Sequence, residues 1–349
     1  MKCTIQNIAD HLGLSRNTVS KALKNSSEVS ENTRNLVIKT ASKLGYKNAT
    51  FATPVIPASE TGSNGTILFL TRTYASDSEF WTTVLRGIES ILSNANYHLA
   101  ISIMSDSDLK QLNFPQTISD SSIKGIILVE ICDKVVCDAL SQFNLPIVSV
   151  DMPNVPFEEL NGIDVVTMES KKNLKKIINQ LIEKGAESFG FVGDLYFPNV
   201  SRGFQERYNA LSECLAEHQL PLNQKNCLLH QTPEDFRNFQ TTVNNLQAMI
   251  SLPDVFICGN DWTAIQLIYA LQFLGFQIPK DICVVGFDNI PAASRISPSL
   301  TTISTPQKYL GIAAARQILE RIQHPNCPHV FCQYETELII RNSTNITSF

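Results

Sequence analysis

Residues 4–23 carry a pattern that is satisfied by two short helices joined by a tight turn. Ile5 and Ile8 begin an apolar series at helical spacing. Gly13 can end this first helix, because glycine enters the left-handed conformation without a steric penalty. Ser15 is placed to cap a second helix whose apolar residues share one face. The stretch therefore predicts a helix-turn-helix.

The polar residues of this segment indicate contact with DNA. The second helix of a helix-turn-helix enters the major groove, where arginine can pair with the edge of guanine and asparagine with that of adenine. The alternative is a solvated polar face on a small helical bundle. The candidate DNA-binding residues are Thr4, Ser15, Arg16, Asn17, Ser20, Lys21, Lys24, Ser30 and Thr33.

The charge of the chain is unevenly distributed. The net charge is −5, which alone argues against DNA binding, yet residues 1–50 hold eight basic and three acidic side chains and a net charge of +5. The remainder of the chain therefore carries −10. The positive end coincides with the predicted helix-turn-helix, where phosphates would be contacted, and DNA should repel the acidic remainder.

Several segments of the first fifty residues resemble the headpiece of lactose-repressor-like (LacI family) bacterial transcription regulators. The resemblance implies a three-helix headpiece over residues 1–47, a hinge over 48–64, a core over 65–342 and a tail over 343–349. The implied fold class is an all-α helix-turn-helix headpiece plus an α/β periplasmic-binding-protein-like core of two Rossmann-like lobes. The matching segments are residues 5–9, 14–23, 29–34 and 44–46.

The predicted hinge departs from the pattern of that family. Members usually form a hinge helix on DNA that inserts a leucine into the minor groove and kinks the duplex. Here Val55 stands at the leucine position, and Pro54 stands where a helical amide would lie. Because proline inside a helix costs about 3 kcal/mol, we expect a shorter helix or docking without a deep kink.

From residue 66 onward, short apolar runs alternate with amphipathic stretches, a pattern typical of parallel sheets with crossover helices. The resemblance implies three crossings between lobes, with one lobe at about 65–162 and 292–323 and the other at about 163–291 and 324–342. The predicted strands are 67–70, 99–103, 126–129, 147–150, 189–192, 255–258, 282–287, 330–332 and 335–340, and the predicted helices are 80–92, 135–143, 173–184, 202–218, 243–250, 262–274 and 310–322.

Open α/β sheets bind ligands at the carboxyl ends of their strands, so residues that follow predicted strands are candidate effector contacts. The aromatic pair Phe80 and Trp81 could stack on a sugar or a base, or simply pack in the core. The guanidinium of Arg207, which stands at the family's effector-binding arginine, suits vicinal hydroxyls or a carboxylate. Asp261 could cap the following helix instead of contacting ligand. The candidate effector-binding residues are Phe80, Trp81, Asp151, Arg207, Asn260, Asp261 and Asp288.

Motifs of the main enzyme classes are absent from the sequence. It contains no G-x-G-x-x-G or P-loop after a strand, no G-x-S-x-G, and no H-E-x-x-H among its six histidines. Its nine cysteines form no C-x-x-C pair, so reduced and buried thiols are expected, and neither a metal nor another cofactor is predicted. The alternatives are a two-lobed α/β enzyme and a regulator that responds to a protein partner.

The sequence thus predicts a non-enzymatic transcription regulator, a repressor of a carbohydrate-use operon whose effector is a sugar or sugar derivative. Its expected partners are a pseudo-palindromic double-stranded DNA operator, the effector and a second copy of the chain. A dimer is favoured over a tetramer, because no leucine-heptad tail follows residue 344. A cytoplasmic location is expected, because the sequence shows neither a signal peptide nor an apolar run that could span a bilayer.

Overall fold

A computed structural model describes residues 4–23, 29–30, 33, 36–37, 40, 63–72, 78–195, 201–230 and 238–345. The chain separates into two compact units, Met1–Gly62 and Ser63–Phe349. Within the described ranges, no helix is long and apolar enough to cross a membrane. The expectations about Lys24 and about the hinge at Pro54 and Val55 lie outside the described residues.

The first unit begins with the predicted helix-turn-helix. Helix α1 (Ile5–Leu12) is capped by Thr4 in a reciprocal capping box with Asn7, and Gly13 ends it at φ 64°. Helix α2 (Arg16–Leu23) follows after the turn. The two helices share a small apolar core, which also holds residues 29 and 37; its buried members are Ile8, Ala9, Val19, Ala22, Val29 and Val37.

The second unit contains two six-stranded sheets. The strands, in chain order, are β1 (Gly65–Thr71), β2 (Tyr97–Ile103), β3 (Ile123–Val129), β4 (Ile147–Val150), β5 (Ile163–Met168), β6 (Phe189–Asp194), β7 (Leu228–His230), β8 (Val255–Cys258), β9 (Cys283–Asp288), β10 (Thr301–Ser304), β11 (Phe331–Tyr334) and β12 (Glu337–Ile339). The sheet orders are β11-β5-β4-β3-β1-β2 in lobe 1 and β12-β10-β9-β8-β6-β7 in lobe 2.

Helices connect these strands and cover the sheets. The ladders are parallel except for β12, which pairs antiparallel with β10. The helices are α3 (Glu79–Asn94), α4 (Asp106–Gln111), α5 (Lys134–Ser141), α6 (Lys172–Glu183), α7 (Arg202–Glu217), α8 (Phe239–Ala248), α9 (Asp261–Phe273) and α10 (Gln307–Gln323), with short 3-10 turns at Gln116–Ser119, Phe157–Glu159, Gln224–Asn226 and Pro291–Ser294. This arrangement confirms the predicted fold class.

The two lobes repeat one topology and then exchange their last strands. The order β2-β1-β3-β4-β5 in lobe 1 matches β7-β6-β8-β9-β10 in lobe 2. The chain passes between the lobes after β5, after β10 and after β11. Two of these connections lie side by side, because Glu169 N donates to Tyr334 O at 2.8 Å and Asn173 Nδ2 donates to Thr336 O at 2.7 Å.

The lobe boundaries implied by the resemblance differ from these sheets at three places. Residues 163–168 and 331–334 were expected in the second lobe but form strands of the first sheet. Residues 301–304 were expected in the first lobe but form a strand of the second sheet. The crossings therefore fall at strand ends rather than at the boundaries inferred from sequence.

Strands β5 and β10 are absent from the sequence prediction because each contains a buried polar residue. Asp164 of β5 is fully buried, and its carboxylate accepts from Arg321 Nε at 3.0 Å and Nη2 at 2.8 Å. In β10 the hydroxyl of Thr301 donates to Arg341 O at 3.1 Å. Burying a polar or charged group without a hydrogen-bond partner is destabilising. In both strands the partner that offsets this cost comes from a segment distant in sequence.

The main hydrophobic core runs through both lobes, and a second cluster covers the other face of the first sheet. Phe69, Phe189, Phe191, Phe256 and Phe287 are its largest fully buried side chains. The predicted reduced, buried thiols are confirmed for five of the described cysteines, which are free and buried: Cys132, Cys137, Cys214, Cys258 and Cys283.

Helices α3 and α10 cross closely enough that only glycine fits between them. A Cβ added to Gly311 would lie 2.0 Å from the carbonyl oxygen of Val84, and one added to Gly87 would lie 2.3 Å from that of Lys308. Both obstacles are backbone atoms, which cannot rotate away. Helix α10 follows β10 of lobe 2 in the sequence, and this contact packs it against α3 of lobe 1.

The variant Gly311→Ala should therefore lower the free energy of unfolding by about 1–3 kcal/mol, because overpacking forces the two helices apart. Elsewhere on a helix the same change would stabilise by about 1 kcal/mol. Chemical denaturation measures the difference, with the exposed Ser93→Ala on α3 as the control. An unchanged or raised stability of Gly311→Ala would contradict this packing.

Candidate functional site

Polar residues from both lobes lie at the carboxyl ends of the two sheets. In lobe 1, Glu130 follows β3 and Asp151 follows β4. In lobe 2, Gly259 follows β8 and Asp288 is the last residue of β9. Glu130 and Gly259 stand beside the points where strand order reverses, which is where open α/β sheets bind ligands.

Direct contacts bring these two edges together. Arg202 N, at the start of α7, donates to Met152 O at 2.9 Å, and Pro153 forms an isolated antiparallel bridge with Ser201. On another connection, Ala292 N donates to Glu79 Oε2 at 3.2 Å. The two edges therefore face each other across the boundary between the lobes, and this boundary is called the cleft below.

Arg207 is the central cation of this cleft. It projects from α7, is only 3% exposed, and donates from Nη1 to Gly259 O at 2.7 Å. Its guanidinium carbon lies 3.6 Å from the ring centroid of Phe287 and 5.1 Å from that of Phe204. Burial lowers the pKa of Arg207, and the nearby carboxylates of Asp288 and Asp151 oppose that shift.

Two carboxylates, one from each lobe, face this arginine. Burial raises the pKa of Asp288 well above its usual range, with Arg207 acting in the opposite direction. Burial also raises the pKa of Asp151, against a backbone hydrogen bond from Met152 N at 2.8 Å and the charge of Arg207. A carboxyl group kept from water in this way gains more from a hydroxyl or cationic partner than an exposed one would.

The backbone at the acidic residues is in an unusual conformation. Glu130, Asp151 and Asp288 have φ values of 58°, 75° and 118°, a region that residues other than glycine seldom adopt. Such conformations persist where surrounding structure imposes them, and they cluster at binding sites. Here they turn the chain sharply where three strands end.

Trp81 also reaches the cleft, whereas its neighbour does not. Trp81 is half-buried, and its Nε1 donates to Glu130 Oε1 at 2.6 Å. Phe80 is 7% exposed and belongs to the hydrophobic core, where it contacts Trp81 edge-on at 4.6 Å between ring centroids. Of the predicted aromatic pair, only Trp81 is positioned to stack on a ligand.

Buried polar atoms near Arg207 lack a hydrogen-bond partner within the described ranges. They are Arg207 Nε and Ser170 Oγ. A Cβ on Gly203 would lie 3.3 Å from Arg207 Nη2 and 3.5 Å from Ser170 Oγ, so the two groups share one neighbourhood. Because unpaired buried polar groups are costly, these atoms mark a place for a polar ligand or for water.

Asn260 and Asp261 are engaged within lobe 2. Asn260 caps α9 by accepting from Thr263 N at 2.9 Å. Asp261 is fully buried and accepts from Thr302 Oγ1 at 2.5 Å and from Ile290 N at 2.9 Å. The cap expected at Asp261 is thus formed by the residue before it, and Asp261 ties β10 to the loop that carries Asp288.

The sequence interpretation missed several residues of this cleft. Glu130 follows a predicted strand and could have been chosen by the rule that selected Asp151. Phe204 stands three residues before Arg207 on the predicted helix 202–218, so helical spacing could have identified it. Ser170 carries no such signal, because only tertiary folding places it beside Arg207. Arg202, the first residue of α7, pairs with Glu206 at 2.8 Å.

The predicted DNA-binding residues lie around the ends of α1 and α2. Arg16 and Asn17, in the first turn of α2, are exposed, while Ser20 and Lys21 are half-buried. Thr4 caps α1, and Thr18 N donates to Ser15 Oγ at 3.0 Å at the start of α2. Beyond α2, Thr33 N donates to Ser30 Oγ at 3.3 Å. The exposed N-terminus of α2 has the geometry of a recognition helix.

The chain combines a helix-turn-helix with a two-lobed α/β core whose polar residues meet at the strand ends. This combination defines a DNA-binding transcription regulator. The description "Bacterial regulatory proteins, lacI family" matches residues 4–48, and "Periplasmic binding protein-like domain" matches residues 178–344. The chain belongs to the LacI family.

Its similarity to known proteins extends over nearly the whole length. The HTH-type transcriptional repressor PurR of Photobacterium profundum is 26% identical over 345 residues, 97% of this chain and 98% of that protein. The ribose operon repressor of Haemophilus influenzae is 27% identical over 344 residues, with the same two coverages. The lac repressor dimer bound to operator and an anti-inducer shares the fold, at 18% identity, a TM-score of 0.66 and 99% coverage of both chains.

The buried carboxyl group of Asp261 makes the stability of the protein depend on pH, which can be tested. Burial raises the pKa of Asp261 to about 6, against hydrogen bonds from Thr302 and Ile290. Because the folded pKa exceeds the unfolded one, this group's contribution to stability is full below about pH 4 and is lost as the pH rises through 6.

We expect the stability of the wild type relative to Asp261→Asn to fall by about 3 kcal/mol between pH 4 and pH 7, measured by urea unfolding. The amide can still accept from Ile290, and the Thr302 hydroxyl can reverse to accept from it. The exposed Glu183→Gln is the control. Parallel pH curves for wild type and Asp261→Asn would show that the carboxylate does not titrate in this range.

Proposed function

We propose that this chain represses a carbohydrate-use operon and that a sugar or sugar derivative, bound in the interlobe cleft, switches its affinity for operator DNA. The observation that carries the proposal is the buried Arg207, which stands between acidic residues of both lobes and whose Nε has no hydrogen-bond partner among the described residues. Vicinal hydroxyls can bridge such groups, because each hydroxyl donates to a carboxylate and accepts from a guanidinium.

The chemistry of the cleft supports a small polyhydroxylated ligand. Trp81 offers an aromatic face to the C–H surface of a sugar ring. Asp151 belongs to lobe 1, whereas Arg207 and Asp288 belong to lobe 2. A ligand that engages all of them binds one relative arrangement of the lobes more tightly than another, which is the condition for shifting their equilibrium.

The first turn of α2 is the proposed site of operator recognition. Arg16 and Asn17 are exposed there, in a segment of the chain whose net charge is positive. Major-groove readout by these side chains would give sequence preference, and the surrounding lysines would add salt-dependent attraction to phosphates. The more similar relatives are named as transcription regulators rather than enzymes, which supports this role.

A homodimer is the proposed assembly. Helix α9 exposes aromatic side chains along one face: Trp262 is 38%, Tyr269 43% and Phe273 69% exposed. Phe239 of α8 extends this surface by contacting Phe273 edge-on, with the ring centroids 5.9 Å apart. Aromatic patches of this kind are typical of association surfaces, and two headpieces on one dimer would match a pseudo-palindromic operator.

Ligand binding in the cleft can be tested by thermal shift with neutral sugars. We expect the sugar that stabilises the wild type to give no shift with Asp288→Asn or Arg207→Ala, because each variant removes a bridging group. The exposed Arg86→Ala on α3 should keep the shift. If both cleft variants respond like the wild type, the effector site has been assigned to the wrong residues.

Base readout can be tested by footprinting and by binding to a library of operator variants. Arg16→Ala should weaken binding by about 1–3 kcal/mol and relax preference at one base pair in each half-site. Gln6→Ala, an exposed change on α1, serves as the control. A uniform loss of affinity across all sequences would mean that Arg16 contacts only phosphate.

A further inference from the structure

The turn that follows β9 has a backbone conformation that few residues adopt. Asp288, the last residue of β9, has a φ of 118°, and Asn289 after it has a φ of 55°. Both angles lie in the region that favours glycine, so the surrounding structure must impose them. The carboxyl group of Asp288 interacts electrostatically with Arg207, so the conformation of this turn determines where one predicted effector contact points.

Lobe 2 itself holds the second half of this turn. Asn289 N donates to Thr302 Oγ1 at 3.3 Å, and Asn289 Oδ1 accepts from Arg341 Nη2 at 2.7 Å. Ile290 N donates to Asp261 Oδ2 at 2.9 Å. These partners belong to lobe 2 or directly follow its strand β12, so they keep this part of the turn attached to that lobe.

The connection that leaves lobe 2 holds the first half of the turn. Among the described residues, the carbonyl oxygen of Asp288 accepts three hydrogen bonds: from Gln307 Nε2 at 2.7 Å, from Thr305 Oγ1 at 3.1 Å and from Thr305 N at 3.4 Å. Gln307 and Thr305 are each only 8% exposed, so water cannot readily replace either side-chain donor. The donors thus come from residues 305–307, which join β10 to α10.

Gln307 belongs to a helix that is fixed to lobe 1. It is the first residue of α10, which packs so closely on α3 that a Cβ on Gly311 would lie 2.0 Å from a carbonyl oxygen of α3. Further along α10, Gln317 Nε2 donates to Asp164 Oδ2 in β5 at 3.1 Å. The hydrogen bond from Gln307 to Asp288 therefore connects a helix packed on lobe 1 to a strand of lobe 2.

The two polar groups of Asp288 therefore contact different parts of the molecule. Its carbonyl oxygen accepts from the start of α10, and its carboxyl group interacts with Arg207 of lobe 2. When the lobes change their relative position, α10 moves with lobe 1, and the hydrogen bond from Gln307 must lengthen or rotate. Because such contacts impose the φ of Asp288, its backbone then relaxes and its carboxyl group shifts relative to Arg207.

We propose that Gln307 is a positioning residue, which makes the direction of the Asp288 carboxyl group depend on the relative position of the two lobes and so couples effector binding to that position. The inference rests on the proposed function, because it concerns the same effector site. Coupling between two equilibria is reciprocal. An effector that binds Asp288 therefore favours the lobe arrangement in which the hydrogen bond from Gln307 is intact.

Amide hydrogen exchange of the full-length chain tests the positioning without any ligand. Gln307→Met removes one donor at similar side-chain size, and Thr305→Val removes the other side-chain donor without changing its shape. We expect the amides of residues 289–290 to exchange at least about fivefold faster in both variants, because the turn loses a restraint. The matched control is Gln317→Met, which removes a hydrogen bond of the same helix to lobe 1 and should leave these amides unchanged.

Operator binding with and without sugar tests the coupling. The probes are D-ribose, D-glucose and cellobiose, and the DNA is the fragment recovered from the operator library. The ratio of the operator dissociation constants at saturating sugar and without sugar measures the coupling. We expect Gln307→Met and Thr305→Val each to reduce this ratio at least about threefold, because one hydrogen bond between the lobes is lost. Gln317→Met should keep the ratio of the wild type.

The outcomes separate the two proposals. If a sugar switches operator binding equally in the wild type and in Gln307→Met, the positioning role is overturned while the effector function stands. Unchanged exchange in Gln307→Met, or an equal increase in Gln317→Met, overturns it too, because the turn would then not depend on this particular contact. If none of the three sugars changes operator binding by the wild type, the proposed sugar effector fails and the coupling fails with it.

Discussion

The buried charge of Arg207 is the constraint on which the cleft depends. A guanidinium removed from water is tolerated only when other groups replace its hydration, and here the carbonyl of Gly259, two aromatic rings and carboxylates of both lobes do so. Because Asp151 comes from lobe 1 and Asp288 from lobe 2, the electrostatic compensation is complete only when the lobes face each other. The guanidinium of Arg207 therefore interacts electrostatically with carboxylates of both lobes.

The rest of lobe 2 holds the residues of this site in position. A Cβ on Gly259 would lie 2.4 Å from the ring of Phe204, so a larger residue there would displace the ring that contacts Arg207. Asp261 joins α9, β10 and the loop after β9 through hydrogen bonds to Thr302 and Ile290, and so fixes the turn in which Asp288 stands. The carbonyl of Asp288 in turn accepts from Gln307 Nε2 at 2.7 Å, at the connection where the chain returns to lobe 1. Asp288 therefore belongs to the cleft and also contacts the connection between the lobes.

The prediction from sequence was accurate where a signal is local. Apolar periodicity located most helices and strands of the core within a few residues. The rule that ligands bind after strands selected Asp151 and Asp288, which the fold places near Arg207, and their role as effector contacts stays a prediction. The prediction from sequence failed where a residue's environment comes from distant parts of the chain. Strand β5 contains Asp164, whose burial is acceptable only because Arg321 reaches it, and β10 consists of small polar residues paired with the C-terminal segment. Phe80 and Asp261 both follow predicted strands, as the rule for ligand contacts requires. Folding nevertheless placed Phe80 in the hydrophobic core and buried Asp261 among hydrogen-bond donors of lobe 2.

By itself, the sequence determined the helix-turn-helix, its positive charge and the alternation of strands and helices, because capping, turn geometry and apolar spacing act over a few neighbouring residues. The tertiary structure alone decided which strands belong to which lobe and which acidic residues lie near Arg207. These properties depend on desolvation and on distances between groups far apart in the chain, and neither quantity exists until the chain has folded.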